Sequence, residues 1–247
     1  MLIPHSTTHR WTKPVVNDPL ADFGQNTTAR LRSTLNRIPN FNIKNVVEPL
    51  NEAFLDWFLP VYELRINEKA NPRVFDIRKK TLGRKKPKQF FSMTLYEGDE
   101  KIGGTIFSCN HGNLSVAYRT YQNDWTQANL PANPSSYTEY LINQEAINRD
   151  AKTIIHGRDR NPYGLNSSIG LANFKLAAGC HPELSHKYET STLDTDKLTT
   201  DVFVFALPAP NETRISQGFL IVDDIGLNKW SQVAKYGKLL DVAIIKR

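Results

Sequence analysis

The sequence predicts a mixed α/β (α+β) fold: a central mixed sheet containing an antiparallel meander, with helices flanking it. Three observations carry this expectation. Between Phe91 and Tyr121, three strand-like runs follow one another with only short turns between them. On either side of that block the apolar spacing changes from about 2 to about 3.6 residues. Downstream, Thr153 to Gly179 (TIIHGRDRNPYGLNSSIGLANFKLAAG) reads as a strand, a polar loop and a helix, a crossover that joins parallel strands.

The 247 residues, 40% hydrophobic and 23% charged, suit one large folded core with appendages. Residues 1–45 are expected as an N-terminal arm and loops, 46–210 as the core, and 211–247 as a strand-helix-strand extension packed on it. No apolar run approaches bilayer length. The start, MLIPHSTTHRW, lacks the apolar centre of a secretory signal, so a cytoplasmic location is expected. Cys109 and Cys180 belong to no CxxC pair and are expected as two thiols.

The formal charge of +6 is unevenly placed. Through Phe90 there are 16 Lys and Arg against 8 Asp and Glu; from Phe91 onward there are 15 against 17. The densest run, Arg78 to Lys88, carries seven basic residues and no acid. It suits either an anionic partner such as a nucleotide or a tRNA stem, or a solvated connector. No aromatic side chain interrupts it, as base stacking would require.

In order along the chain, residues 1–45 show little periodicity, and Ala29 to Leu35 forms a short helix at most. His5 and His9 are read as surface histidines. From Pro49 to about Ala70, Leu50, Phe54, Trp57, Phe58, Val61 and Leu64 follow a helical period, with Pro60 kinking or dividing the helix. Phe75 to Leu82 gives a second short helix. Phe91–Tyr96, Ile102–Cys109 and Leu114–Tyr121 form the meander, with turns at Gly98–Asp99 and Asn110–Asn113. Leu114, Val116, Tyr118 and Thr120 are expected on one face. Residues 123–136 read as an irregular loop, and Ser136 or Thr138 as the cap of a helix beginning near Tyr140. After the crossover, Asp201–Leu207 and Ser216–Val222 form a strand pair, Lys229–Leu240 a helix and Val242–Ile245 a last strand.

This succession resembles the acyl-CoA N-acyltransferase superfamily, the GNAT fold, and within it the divergent branch of FemAB-like aminoacyltransferases. The resemblance covers roughly Leu50 to Leu207. It rests on the meander, on the helix and strand through His156, and on GLANFKLAAG, where Gly170, Phe174, Lys175 and Gly179 fit a Gly-x-x-x-Phe-Lys-x-x-x-Gly pattern. It implies transfer of an activated acyl or aminoacyl group to the amine of an amino acid, peptide or other small molecule. The implied donors are acyl-CoA, an acyl-carrier protein or an aminoacyl-tRNA. The chain departs from ordinary acetyltransferases after Tyr121, where QNDWTQANLPANPSSYTEY lacks the glycine-rich phosphate grip.

The chemistry needs a neutral amine, a held carbonyl and stabilisation of the negative charge that grows on its oxygen. His156 is a candidate base, and Asp159 a candidate to orient the ammonium or to act through a water. Tyr118 and Tyr163 are candidate proton donors to the leaving group, a role open to Tyr121 as well. Arg158 and Lys175 are candidates for holding a phosphate or carboxylate. Arg119, Tyr121, Asn166, Ser167 and Ser168 complete the candidate donor-binding and substrate-binding set. Each has an ordinary structural alternative: a loop hydrogen bond for His156, an ion pair for Arg158 and Asp159, helix capping for Asn166 to Ser168. No metal site is expected, since His181, Glu183 and His186 lack a further ligand. The reading from a different class is a noncatalytic protein of the same fold that recognises an anionic ligand or nucleic acid.

Overall fold

The computed structural model describes the chain apart from residues 69–73, 84–88, 123, 126–127, 160–168, 186–189 and 231–239. In chain order the elements are β1 (Leu2–Ser6), β2 (His9–Pro14), α1 (Gln25–Arg37), β3 (Ile43–Pro49), α2 (Glu52–Asn67), α3 (Ile77–Thr81), β4 (Phe90–Glu97), β5 (Glu100–Asn110), β6 (Asn113–Tyr121), α4 (Pro134–Asn148), β7 (Thr153–Asp159), α5 (Ile169–Ala177), β8 (His181–Leu184), β9 (Thr190–Asp194), β10 (Val202–Phe205), β11 (Gln217–Val222), α6 (Asp224–Trp230) and β12 (Asp241–Lys246). They form two units. The meander unit is residues 14–155; the terminal unit combines residues 1–13 with 156–247.

In the meander unit, β3, β4, β5 and β6 pair antiparallel in sequence order. The turns follow the expected residues: Gly98 takes φ +64°, and His111 and Gly112 take +49° and +71°. Two consecutive left-handed residues give the β5–β6 hairpin the twist its strands need. The base of β7 adds to β6 in parallel, over Asn113↔Thr153 to Ser115↔Ile155.

Helix α2 covers one face of this sheet. Leu50, Phe54, Leu55, Phe58, Tyr62 and Ile77 pack there with Ile106. The helix is undivided through Pro60, so of the kink or division expected there, division does not occur. The ring removes the N–H that would bond the Asp56 carbonyl, a cost of about 3 kcal/mol. Burying Phe54, Leu55 and Phe58 on the adjoining turns returns roughly 2 kcal/mol for each side chain. At Gly104 an added Cβ would stand 2.8 Å from Trp57 and 2.9 Å from Phe58, so α2 comes this close because the position has no side chain. Helix α4 is associated with the opposite face, where its Glu139 pairs with Arg119 and the Arg149 guanidinium after it stacks 3.8 Å over the Phe91 ring.

A bulge decides which residues face which helix. The β5–β6 register shifts between Ile106 and Phe107: Ile106 pairs with Tyr118, whereas Phe107 pairs with Val116. Ala117 is the extra residue, and the alternation of β6 inverts across it. Tyr118 therefore packs against Tyr62 and Phe75 on the α2 side, while Arg119 reaches Glu139 on α4. The register puts Leu114 and Val116 on the Arg119 face, so the single face expected for Leu114, Val116, Tyr118 and Thr120 is split in two.

Helix α4 also begins earlier than expected. Asn133 caps it by accepting from Ser136 N–H at 2.8 Å, and Pro134 occupies the first turn. Asparagine followed by proline makes a start signal, because the missing proline N–H lies where the helix has no acceptor.

The terminal unit holds β1 paired with β9, β2 with β8, and β10–β11–β12. Its apolar centre includes Ile3, Val202, Val204 and Ile221. His5 and His9 are buried rather than exposed; the His9 ring lies 5.1 Å from Trp11 and 4.4 Å from Phe205. Strand pairing drives this inward placement, and the polar sequence around it hides the strands. After Pro182 the chain continues as β8, where His181 Nε2 lies 3.0 Å from Thr12 Oγ1 and 3.2 Å from Glu183. Arg10 donates to the other Glu183 oxygen at 2.9 Å. The His181 contact, opposed by burial and joined by Thr12 and Arg10, holds the Glu183 carboxyl down at about 2. Cys109 and Cys180 form no disulfide. The expected helix over 229–240 lies largely outside the described residues; α6 is described over Asp224–Trp230.

Candidate functional site

The cavity that stands out in the meander unit opens where β6 ends. It has a volume of about 430 Å³ and is walled by Tyr62, Arg65 and Ile66 of α2, by Arg119 to Tyr121 of β6, by Asp124, and by the start of α4. The bulge at Ala117 helps build it, since the inversion turns Arg119 toward Glu139 just before the strand ends.

Its charges are largely spoken for. Arg119 Nη2 donates to Glu139 Oε2 at 2.9 Å, and Glu139 is fully buried. Burial disfavours the guanidinium charge, but Tyr121 and Glu139 overcome it, and the Arg119 pKa is raised. Arg65 donates to the Tyr121 carbonyl at 3.0 Å, to the Gln122 carbonyl, and to Glu68 at 3.1 Å. It thereby ties the end of β6 to α2. At the α4 start, Pro134 has no N–H and Asn133 occupies that of Ser136. Ser135 is left as the first-turn amide able to meet a ligand, so this helix end is a weak anion site.

Phenols and an acid supply the remaining chemistry. Burial, with Tyr118 adding to it, pushes the Tyr62 phenol up to about 12. Tyr62 thus stays a proton donor throughout the neutral range. The Thr120 hydroxyl is buried without a hydrogen-bond partner among the described residues, and the Tyr121 hydroxyl is buried beside Arg119. Asp124 is an exposed carboxylate on the rim, with Oδ1 accepting from Trp125 N–H at 2.9 Å. A neutralised arginine, the protonated Tyr62 phenol and a carboxylate at the mouth suit a polar but uncharged carbonyl inside and a cationic amine outside.

Of the residues singled out from sequence, Tyr118, Arg119 and Tyr121 lie on β6 in the meander unit, and Arg119 and Tyr121 wall the cavity. The others belong to the terminal unit. There, His156 lies on β7 rather than in a loop, because the strand continues to Asp159 with Gly157 at φ +75°. His156 and Lys175 are brought together: both are buried, and Lys175 Nζ donates to the His156 carbonyl at 3.2 Å. Arg158 and Asp159 belong to β7 by their backbone. Tyr163, Asn166, Ser167 and Ser168 fall outside the described residues. The sequence reading passed over Tyr62, Arg65, Asp124, Asn133 and Ser135. The signals present were the Tyr62–Arg65–Ile66 spacing at the end of α2, and the Asn133–Pro134 pair.

The basic run is partly neutralised where it is described. Arg78 pairs with Glu52 and with Asp56, the latter at 2.8 Å, and Lys80 Nζ sits 3.9 Å over the Phe75 ring. Residues 84–88 are outside the described set. Among the described residues no helix is long and apolar enough to cross a membrane.

No protein-family profile and no curated protein sequence matches the chain. Solved structures do. FemX is similar with a TM-score of 0.51 at 13% identity, over 77% of this chain and 62% of that chain. L-PGS from Bacillus licheniformis is similar with a TM-score of 0.46 at 15% identity, over 73% and 59%. A GCN5-related N-acetyltransferase from Anabaena variabilis is similar with a TM-score of 0.40 at 12% identity, over 86% and 50%. The chain thus spans about three-fifths of the length of the first two. Together with the helix-flanked meander and the parallel base of β7, the likeness to FemX shows that the chain shares that protein's fold, a mixed, mostly antiparallel sheet flanked by helices.

Proposed function

We propose that this chain is an acyltransferase that moves an activated acyl or aminoacyl group onto the amine of an amino acid, a peptide or another small molecule. The observation that carries the reading is the cavity at the end of β6, with its paired arginine, the protonated Tyr62 phenol and rim carboxylate.

In the reaction the amine nitrogen attacks the donor carbonyl. A C–N bond forms, and the C–S or C–O bond to the carrier breaks. The amine gives up a proton and the leaving atom gains one. Tyr62 is suited to hold the carbonyl oxygen, since its phenol remains protonated and strengthens its hydrogen bond as negative charge grows there. Asp124 suits an incoming ammonium. Arg119, fixed by Glu139, supplies an oriented positive edge without a mobile charge.

The same residues bear on the donor. A polyphosphate is ordinarily gripped by several amides at a helix start or by unpaired basic groups. Here Pro134, the Asn133 cap and the committed arginines supply little of either. This favours a donor anchored away from the cavity, such as an acyl-carrier protein or an aminoacyl-tRNA, over acyl-CoA.

The experiment is intact-mass detection of acylated amines across three donor classes and a panel of amino acids and peptides. Transfer from carrier-bound or tRNA-bound donors is expected, falling at least about tenfold in Tyr62→Phe. Absence of transfer from every donor would overturn the reading. The terminal-unit candidates are tested by their own variants: unchanged turnover in folded His156→Gln would remove His156 from the reaction.

A further inference from the structure

Strand β3 forms the outer edge of the meander sheet, pairing with β4 over its full length. Its residues are exposed or half-buried throughout, and Val46 is 40% exposed. Two hydrogen bonds fix the phase of the β3–β4 ladder. Gly98 N–H donates to Asn42 O at 2.6 Å, and Leu50 N–H donates to Phe90 O at 2.9 Å, one at each end. Because hydrogen-bonded and non-hydrogen-bonded pairs alternate, residues 42, 44, 46, 48 and 50 bond toward β4. The N–H and C=O groups of Asn45 and Val47 consequently point outward, away from the sheet.

An exposed edge with aligned outward donors and acceptors is a template for another strand. The side chains of β3 select which one. Lys44 and Glu48 lie on the same face, two residues either side of Val46. In an antiparallel pairing about a two-fold axis through Val46, Lys44 of each copy stands opposite Glu48 of the other. Asn45 then exchanges both its backbone hydrogen bonds with the other copy's Val47, in register with the outward groups. Val46 meets its own counterpart in a non-hydrogen-bonded pair, where side chains approach most closely. A register shifted by one residue would set outward groups against inward ones. A two-fold centred on Val47 would place Asn45 opposite Pro49, which has no N–H to give.

We propose that β3 is a self-pairing edge through which two copies of this chain join their meander sheets, antiparallel about Val46. Lysine and proline commonly protect edge strands from pairing. Here Lys44 finds its complement in Glu48, and Pro49 ends the ladder. The existing Asn51 to Glu48 hydrogen bond is exposed and 3.3 Å long, so it offers little competition.

Sedimentation velocity on the intact chain over a concentration series tests this. The wild type shows a concentration-dependent species of twice the monomer mass. Lys44→Glu and Glu48→Lys each weaken that association by about tenfold or more, because like charges then face each other twice. Mixing these two single variants restores it, since each supplies the charge the other lacks, and the double variant Lys44→Glu/Glu48→Lys also self-associates. Asn45→Pro removes an outward N–H while leaving the β4 ladder intact, and abolishes the dimer with the circular dichroism spectrum unchanged. A wild type that stays monomeric at the highest concentration, or single reversals that leave association untouched, would overturn the proposal. A mixture that fails to recover it would overturn the two-fold register.

Discussion

The two faces of the meander sheet are held by different physics. On the α2 face, Phe54, Phe58 and Tyr62 stack in series with ring centroids 5.2 and 5.8 Å apart, and Tyr118 closes the cluster. Its stabilisation comes from apolar area and should change little with pH across the neutral range. The α4 face contains a buried ion pair, Arg119–Glu139, and a guanidinium stacked on Phe91. A buried pair of this kind contributes little net stability, because desolvation offsets the attraction, yet losing one partner is costly. One face therefore acts chiefly in folding, while the other accepts a thermodynamic handicap beside the cavity. The Ala117 bulge separates the two, sending Tyr118 to the first and Arg119 to the second.

That contrast can be broken most severely from either side. Phe58→Ala, at a fully buried position, is expected to cost about 3–5 kcal/mol in chemical denaturation. Glu139→Ala should cost a similar amount, about 3–5 kcal/mol, by stranding the Arg119 charge. The faces then diverge on repair. The double variant Arg119→Met/Glu139→Leu is expected to recover most of that loss, within about 1–2 kcal/mol of wild type, because an apolar pair of similar volume replaces the ions. No single second change should rescue Phe58→Ala in this way.

A smaller effect sharpens the comparison with the terminal unit. Glu183 has its pKa lowered from 4.5 to about 2 by His181, Thr12 and Arg10. Its folded value lies below its unfolded one, so this stabilisation is complete above about pH 4.5. It is lost as pH falls through the folded value near 2, and amounts to about 3 kcal/mol when fully present. Equilibrium denaturation from pH 6 to 2.5 should show the wild type losing stability relative to Glu183→Gln below pH 4.5. Parallel pH profiles would contradict it. The smallest change expected is at the α4 cap, where Asn133→Ala should cost about 1 kcal/mol, measured as a lowered denaturation midpoint.

Much of the meander unit was legible because periodic elements announce themselves. The helical spacing of Phe54, Trp57 and Phe58 located α2, and Gly98–Asp99 located the first hairpin. What escaped was whatever depends on a single residue breaking a period. Ala117 is unremarkable in sequence, so strict alternation grouped Val116 with Tyr118. Pro134 read as a loop residue until Asn133 before it supplied the cap. The short strands around His5, His9 and His181 lack alternation strong enough to distinguish them from polar loops. The cavity was only half visible: Arg119 and Tyr121 were flagged, but Tyr62 and Arg65 come from a helix whose apolar stripe reads as packing alone.

On the proposed function, the paired arginine at the end of β6 serves acyl transfer rather than folding. Turnover of Arg119→Met/Glu139→Leu, followed by intact-mass detection of acylated amine and normalised to folded protein, tests it most directly. A stable protein whose transfer rate falls at least about a hundredfold is expected. A stable double variant that transfers acyl groups at the wild-type rate would contradict it.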